Sequence, residues 1–240
     1  DNGSFVTMRM HAWNPKLSTR TGGIIWSLLT VLLVRKYIRT QGRPDLIHAH
    51  FATWAGYTAR LIYKWYKIPY VITEHASSIN GNQTTPSQAV ILKKSYSEAR
   101  KIICVGTKLK RSLYPYINDL DKVTVIPNFV DTSTFKFSLH QTEKEKHFTF
   151  ISTGNLNKRK GFRDLLVAFH RTFKEMPHVS LLIAGDGEEM QSLTEQIQSL
   201  QLQRQVKLTG RLSREELSEL LSTCDAFVLA SYAETFGIVF

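Results

Sequence analysis

The sequence predicts an α/β protein made of two Rossmann-like, doubly wound halves whose strand ends face a cleft. Three observations predict it. Apolar runs of strand length alternate with helical stretches of about 10–15 residues, the pattern of parallel βαβ units. A polar, charged stretch, "SLHQTEKEKH" at Ser138 to His147, interrupts the alternation. Beyond it the same alternation starts again.

The elements follow in order. "FVTMRMHAW" reads as an opening strand. "LIHAHF" precedes a helical "TWAGYTARLIYKWYK", and "PYVITEH" precedes a loop and then "SQAVILKKSYSEAR". "KIICVG" precedes "TKLKRSLYPYI", and "KVTVIP" closes a first domain at 1–137. Residues 138–147 form the linker. In the second domain, 148–240, "FTFISTG" leads to "FRDLLVAFHRTFKEM", and "VSLLIAG" to "EEMQSLTEQIQSL". "QVKLTG" leads to "SREELSELLST", and a strand at Ala226 to Ala230 leads to Glu234. Both domains look incomplete. No strand–glycine loop–helix precedes "HAWNP", and "TGG" at Thr21 to Gly23 follows a loop rather than a strand. The chain stops within an apolar run, so a fragment lacking both ends is expected.

Composition narrows the classes. The chain has 240 residues, 42% of them apolar, enough for one large domain or two modest ones. Its longest apolar candidate, Ile24 to Val34, falls short of the roughly 18 uninterrupted residues of a membrane span, and none is expected. The opening "DNGS" is not a signal peptide. Two cysteines, Cys104 and Cys224, exclude a disulfide framework and read as buried thiols in a reducing compartment. Charge is divided: residues 1–146 hold 21 Lys/Arg against 9 Asp/Glu, net +12, and residues 147–240 hold 10 against 11. A basic first half suits an anionic partner: nucleic acid, acidic lipid or a phosphorylated substrate.

Open α/β sheets bind ligands at the carboxyl ends of their strands, so residues there are the candidates. "STGNLNKRKGF" runs from a strand through a glycine loop and three cations to a helix start near Gly161, an arrangement for a phosphate or a basic surface loop. In "AGDGEE", Gly185 and Gly187 let backbone approach a flat ligand, or simply make a tight turn. "LTGRLS" is a further strand running into glycine. Glu234 follows a strand; it could accept from sugar hydroxyls beside a helix start, or cap that helix. In the first half, "HAH" and "TEHASS" end strands, with His75 and Glu74 as a polar pair. "DLD" at Asp119 to Asp121 has a metal-binding spacing but lies away from strand carboxyl ends, and reads as a surface turn.

These pieces, in order, resemble the retaining glycosyltransferases of family 4, which have the GT-B fold. The matching blocks are "DLIHAHF", "PYVITEHASS", "ICVGTKLKRSL", "VTVIPNFVDTSTF", "TGNLNKRKGFRDLLVAF", "LLIAGDGE", "VKLTGRLSREEL" and "CDAFVLASYAETFGIVF". Eight blocks from Asp45 onwards make the resemblance specific. It implies transfer of a sugar from a nucleotide-sugar donor to an acceptor hydroxyl with retention, without a metal or other cofactor. Glu234 matches the first glutamate of the family signature, which faces the donor sugar. Its second glutamate would fall beyond the last residue, so the chain itself is expected to be inactive. The resemblance further implies phosphate contacts from Lys160, backbone N–H groups from Phe236, Gly237 and Ile238, and a sugar contact from His75. Gly185, Arg211 and Leu212 fall where the nucleotide lies. The family arginine after the "GNL" glycine is absent, since Asn155 stands there; Arg159 is the candidate replacement. The expected acceptor is a glycan or lipid-linked glycan of bacterial-type surface polysaccharide or glycolipid synthesis. The expected location is cytoplasmic, peripheral at the inner membrane face, since "RLIYKWYK" and "WSLLTVLLVRKYIR" combine apolar or aromatic faces with cations. The rival readings are a sugar-nucleotide epimerase of the same fold and a basic nucleic-acid- or membrane-binding module. No nucleic-acid-binding motif appears, and nucleic acid is not an expected partner.

Overall fold

A computed structural model of the chain describes residues 7–10, 20–80, 84–135 and 147–234. The chain packs as two compact units, Asp1–Asn128 and Phe129–Phe240. In the first unit, α1 (Arg20–Gln41) is followed by β1 (Ile47–His50), α2 (Tyr57–Tyr66), β2 (Tyr70–Glu74) and α3 (Ser77–Asn80). Then come α4 (Pro86–Ser97), β3 (Lys101–Cys104), α5 (Thr107–Leu113) and β4 (Val123–Val125). The four strands lie in the order β1-β2-β3-β4, every pair parallel. Tyr70, Ile72 and Ile102 are fully buried and pack with Leu92 and Tyr96 of α4 and Leu109 of α5. Burial on both faces is why these strands read as continuous apolar runs.

Local chemistry sets the boundaries. At the start of α4, Thr85 Oγ1 accepts from Gln88 N while the Gln88 side chain accepts from Thr85 N, and Pro86 occupies the first turn. Tyr70 Oη donates to the Ser95 carbonyl at 2.7 Å, fastening α4 to β2. The helix expected from Thr53 begins only at Tyr57. Residues Ala52–Gly56 form an irregular turn in which Trp54 takes φ 57°, and Phe51, the residue before the turn, takes φ 69°.

The structure locates two features of the amino-terminal region. "TGG" lies in the first turn of α1, where Gly23 receives the Trp54 ring. The helix is also long enough and apolar enough to cross a membrane, with an 18-residue window of mean hydropathy 1.3. The uninterrupted-run criterion missed it because Gly22 and Gly23 precede the apolar run and Arg35 and Lys36 end it, without ending the helix. One face of α1 nevertheless packs on this unit: Gly23, Ser27 and Val31 are buried, with Val31 against Ile62 and Ile68. Residues 7–10 form no strand, and the rest of the expected opening strand lies outside the described residues.

The second unit contains β5 (Phe148–Thr153), α6 (Phe162–Phe173), β6 (Val179–Ala184), α7 (Met190–Ser199), β7 (Val206–Gly210), α8 (Arg214–Thr223) and β8 (Ala226–Phe227). Its parallel sheet runs β7-β6-β5-β8. Phe162, Leu166, Leu181, Ile183 and Leu193 are fully buried at its core. The strand expected over Ala226 to Ala230 shrinks to two residues. Val228 N still reaches the Ile151 carbonyl, and the chain then leaves the sheet for the loop before α6. Neither cysteine is in a disulfide; Cys104 is buried, but Cys224, at the end of α8 before the edge strand, is half-buried.

Candidate functional site

The carboxyl ends of β5, β6 and β7 surround a cavity of about 520 Å³, within the ordinary range for small-molecule sites. Thr153 is the last residue of β5, Gly154 and Asn155 come from the loop after it, Gly185 and Asp186 from the second loop, Arg211 and Leu212 from the third. Glycine permits this convergence. Gly185 has φ 147°, and a Cβ on it would stand 1.9 Å from the Gly154 carbonyl oxygen. No other residue fits there without moving backbone.

Lys160 and Glu234 meet beside this cavity. The turn Lys158–Lys160 ends at Gly161, whose left-handed φ of 67° starts α6. A Cβ on Gly161 would stand 2.1 Å from the Ala230 carbonyl oxygen, so the 230–234 loop lies directly on this turn. Tyr232 N donates to the Arg159 carbonyl at 3.0 Å, and Tyr232 Oη donates to the Asp164 carboxylate. That docking carries Glu234 to Lys160, whose ammonium forms an ion pair with Oε1. Ser231 Oγ donates to the same oxygen at 2.9 Å. Both charged side chains are largely shielded, 13% and 23% exposed, and the Lys160 stem runs along Gly154 at the cavity wall. A sheltered ammonium, a carboxylate and close-approaching backbone can together bind an anionic, hydroxyl-bearing ligand.

Thus Gly185, Arg211 and Leu212 share one cavity, with the Lys160–Glu234 pair at its edge. The Arg159 side chain is exposed on the adjoining turn. Phe236, Gly237 and Ile238 lie outside the described residues. "DLD" forms a turn in which Asp119 Oδ1 caps the Asp121 N–H at 3.1 Å. Asp186, Thr153 and Ser231 were not singled out in the sequence. Their letters are ordinary for loops and strand ends, and only closeness to the carboxyl end of a strand could have drawn attention to them.

His75 belongs to the first unit, at the end of β2. Its ring nitrogen Nε2 lies 3.1 Å from His50 Nδ1 at the end of β1, with the rings stacked at 5.3 Å between centroids. His48 Nε2 lies 2.7 Å from Thr73 Oγ1. Burial lowers the His75 pKa from its ordinary value; His50 and His48 lower it further, and Glu74 opposes them. The expected Glu74–His75 side-chain pair is corrected. Glu74 is fully buried and accepts from the His75 and Ala76 backbone N–H groups at 2.9 Å on one oxygen. Its other oxygen accepts from Ala52 N at 3.0 Å and Tyr96 Oη at 2.7 Å. Strand alternation turns adjacent side chains to opposite faces, so Glu74 points inward where His75 does not. Burial, with the Glu74 carboxylate nearby, pushes the Cys104 thiol up to about 12, which leaves it protonated and unreactive.

Residues 9–134 match the family model Glycosyltransferase Family 4, and residues 134–240 match Glycosyl transferases group 1. The chain is 27% identical over 205 residues to a glycogen synthase of Mycobacterium tuberculosis, covering 82% of this chain and 49% of that protein. It is 27% identical over 222 residues to the alpha-monoglucosyldiacylglycerol synthase of Streptococcus pneumoniae, covering 85% and 50%. The chain therefore spans about half the length of these curated relatives. Among solved structures, Anabaena HepE in complex with UDP and glucose superposes with a TM-score of 0.72 at 22% identity, covering 87% of this chain and 59% of that one. Sucrose-phosphate synthase from Thermosynechococcus elongatus gives 0.77 at 18%, covering 92% and 58%. These two likenesses establish the fold.

Proposed function

This chain belongs to glycosyltransferase family 4, and from that premise we propose that it carries the donor site of a retaining, metal-independent transferase. The donor is a nucleotide sugar. The observation that carries this reading is the Lys160–Glu234 pair at the edge of the strand-end cavity. In it, Gly185, Arg211 and Leu212 shape the nucleotide end, and the Lys160 ammonium, aided by Arg159, neutralises the diphosphate. Glu234 accepts hydroxyls of the sugar. Backbone N–H groups of Phe236, Gly237 and Ile238 complete the phosphate contacts, and His75 is the histidine assigned to the transferred sugar.

The reaction follows from where charge develops. The bond from the anomeric carbon to the leaving phosphate oxygen breaks as the acceptor oxygen bonds on the same face. The departing phosphate takes the acceptor's proton. Negative charge grows on the diphosphate, and a preformed, shielded cation is most effective there. Because Lys160 is already held by Glu234, phosphate and carboxylate compete for one ammonium, and donor binding draws Lys160 towards the phosphate.

The names of two relatives support an acceptor class: one is an alpha-monoglucosyldiacylglycerol synthase, another a glycogen synthase. A glycan or lipid-linked acceptor in bacterial-type surface polysaccharide or glycolipid synthesis is the reading these names support. The basic first half and the exposed residues Ile24, Leu28 and Leu32 of α1, followed by Arg35, Lys36 and Arg39, support peripheral contact with an anionic membrane from the cytoplasmic side. Thermal stabilisation by a panel of UDP-glucose, UDP-N-acetylglucosamine and GDP-mannose tests the donor site. At least one should raise the melting temperature of the second unit, and Lys160→Met should remove the effect. No response to any nucleotide sugar or free nucleotide would refute it.

A further inference from the structure

Two groups converge on His75 from different directions. Its ring is met by His50 Nδ1 at 3.1 Å, and its backbone N–H is taken by the buried Glu74 carboxylate at 2.9 Å. Glu74 also accepts from Ala52 N, in the turn where Phe51 and Trp54 hold left-handed backbone angles of 69° and 57°. Such strain in non-glycine residues persists only where surrounding contacts enforce it. One carboxylate therefore ties the loop after β1, which follows His50, to the end of β2, which carries His75. Neither histidine is locked by packing alone, since His50 is exposed and His75 half-buried.

We propose that His50 is a positioning residue for His75, holding the ring through the Nδ1–Nε2 hydrogen bond while Glu74 holds the backbone from which that ring projects. The inference rests on the assignment of His75 to the transferred sugar. With both rings neutral, one nitrogen of the pair donates and the other accepts, so the pair selects which His75 nitrogen is left to face a ligand. The charged groups around His75 act in opposite senses: His50 and His48 from β1 disfavour its proton, and Glu74 from β2 favours it. Tyr96 of α4 and Cys104 of β3 adjoin Glu74, and burial keeps both protonated.

The test uses the 240-residue chain with histidine ring NMR, and glucose release from UDP-glucose as the turnover readout. His50→Asn keeps an amide near the Nδ1 position but carries no charge. In that variant the His75 pKa should rise, because a disfavouring neighbour is gone. The acid limb of turnover should move to higher pH with it, while kcat stays within about threefold of wild type. His50→Ala should lower kcat by about tenfold to a hundredfold with little change in donor KM, the loss expected of a misplaced rather than missing group. An unmoved His75 pKa in His50→Asn overturns the proposal. So does a His50→Ala enzyme with wild-type kcat and acid limb when His75→Ala is inactive. If His75→Ala turns over normally, the assignment of His75 fails first and the proposal with it. Should the wild-type chain show no turnover, the tautomer and mobility of the His75 ring decide: both should change in His50→Ala, and an unchanged ring overturns the proposal.

Discussion

Lys160 and Glu234 are 74 positions apart, and they meet because Gly161 leaves space for the Ala230 carbonyl. The pair is unequal in its consequences. Lys160→Met removes the cation from a largely shielded carboxylate and should lower stability by about 1–3 kcal/mol. It should weaken nucleotide-sugar binding by about tenfold to a hundredfold, the loss of one charge-assisted contact, as isothermal titration would show. Glu234→Gln keeps shape and removes charge; it should preserve the fold, judged by circular dichroism, and weaken nucleotide-sugar binding. Gly185→Ala is the opposite case. Its Cβ would collide with the Gly154 carbonyl, so the second unit should lose about 2–4 kcal/mol in a denaturant titration, and the cavity should lose its ligand.

At the scale of elements, the end of β2 is the clearest device. Glu74 receives four donors, three of them backbone N–H groups, and leaves no carboxylate oxygen without a partner. Glu74→Ala would bury those donors without an acceptor and should cost at least about 3 kcal/mol, measured as a lower urea midpoint for the first unit. The neighbouring histidines make this end sensitive to acid. Burial holds the pKa values of both His48 and His75 below the usual 6.5. The unfolded chain therefore binds protons first, and stability is lost as pH falls from about 6.5 through the lower folded values. A pH series of unfolding midpoints should show this decline, and His75→Asn should flatten it. Thr85→Ala should remove about 1 kcal/mol through the cap of α4.

For the whole molecule, charge and apolar surface coincide in the first half. That half carries net +12, while Ile24, Leu28 and Leu32 expose a stripe on α1 with Arg35, Lys36 and Arg39 further along the helix. The chain should sediment with vesicles containing anionic lipid at low salt and be released as salt rises, because exposed charges are screened over about 10 Å at 0.1 M. Equal sedimentation with neutral vesicles would show that apolar contact alone is responsible. Indifference to both would remove membrane contact from the proposed function.

Much of the architecture was legible in the order of letters. Continuous apolar runs such as "YVIT" and "LLIAG", separated by helical stretches, dictate parallel strands because only a sheet covered on both faces buries every residue of a strand. The strand-end glycines and cations marked the cavity for the same reason: ligand sites follow from where parallel strands stop. Other features depended on distances between remote residues. "DAFVLA" has the composition of a full strand, yet its pairing ends after Phe227 because the chain must leave the sheet to meet Gly161. "TEH" offered a carboxylate and an imidazole side by side. Strand alternation and the arrival of Tyr96 and Ala52 from elsewhere in the chain made one a buried anchor and the other a surface ring. Local pattern determines which elements form. What a polar residue does is decided by which distant donors the fold brings within 3 Å of it, and no local pattern contains that information.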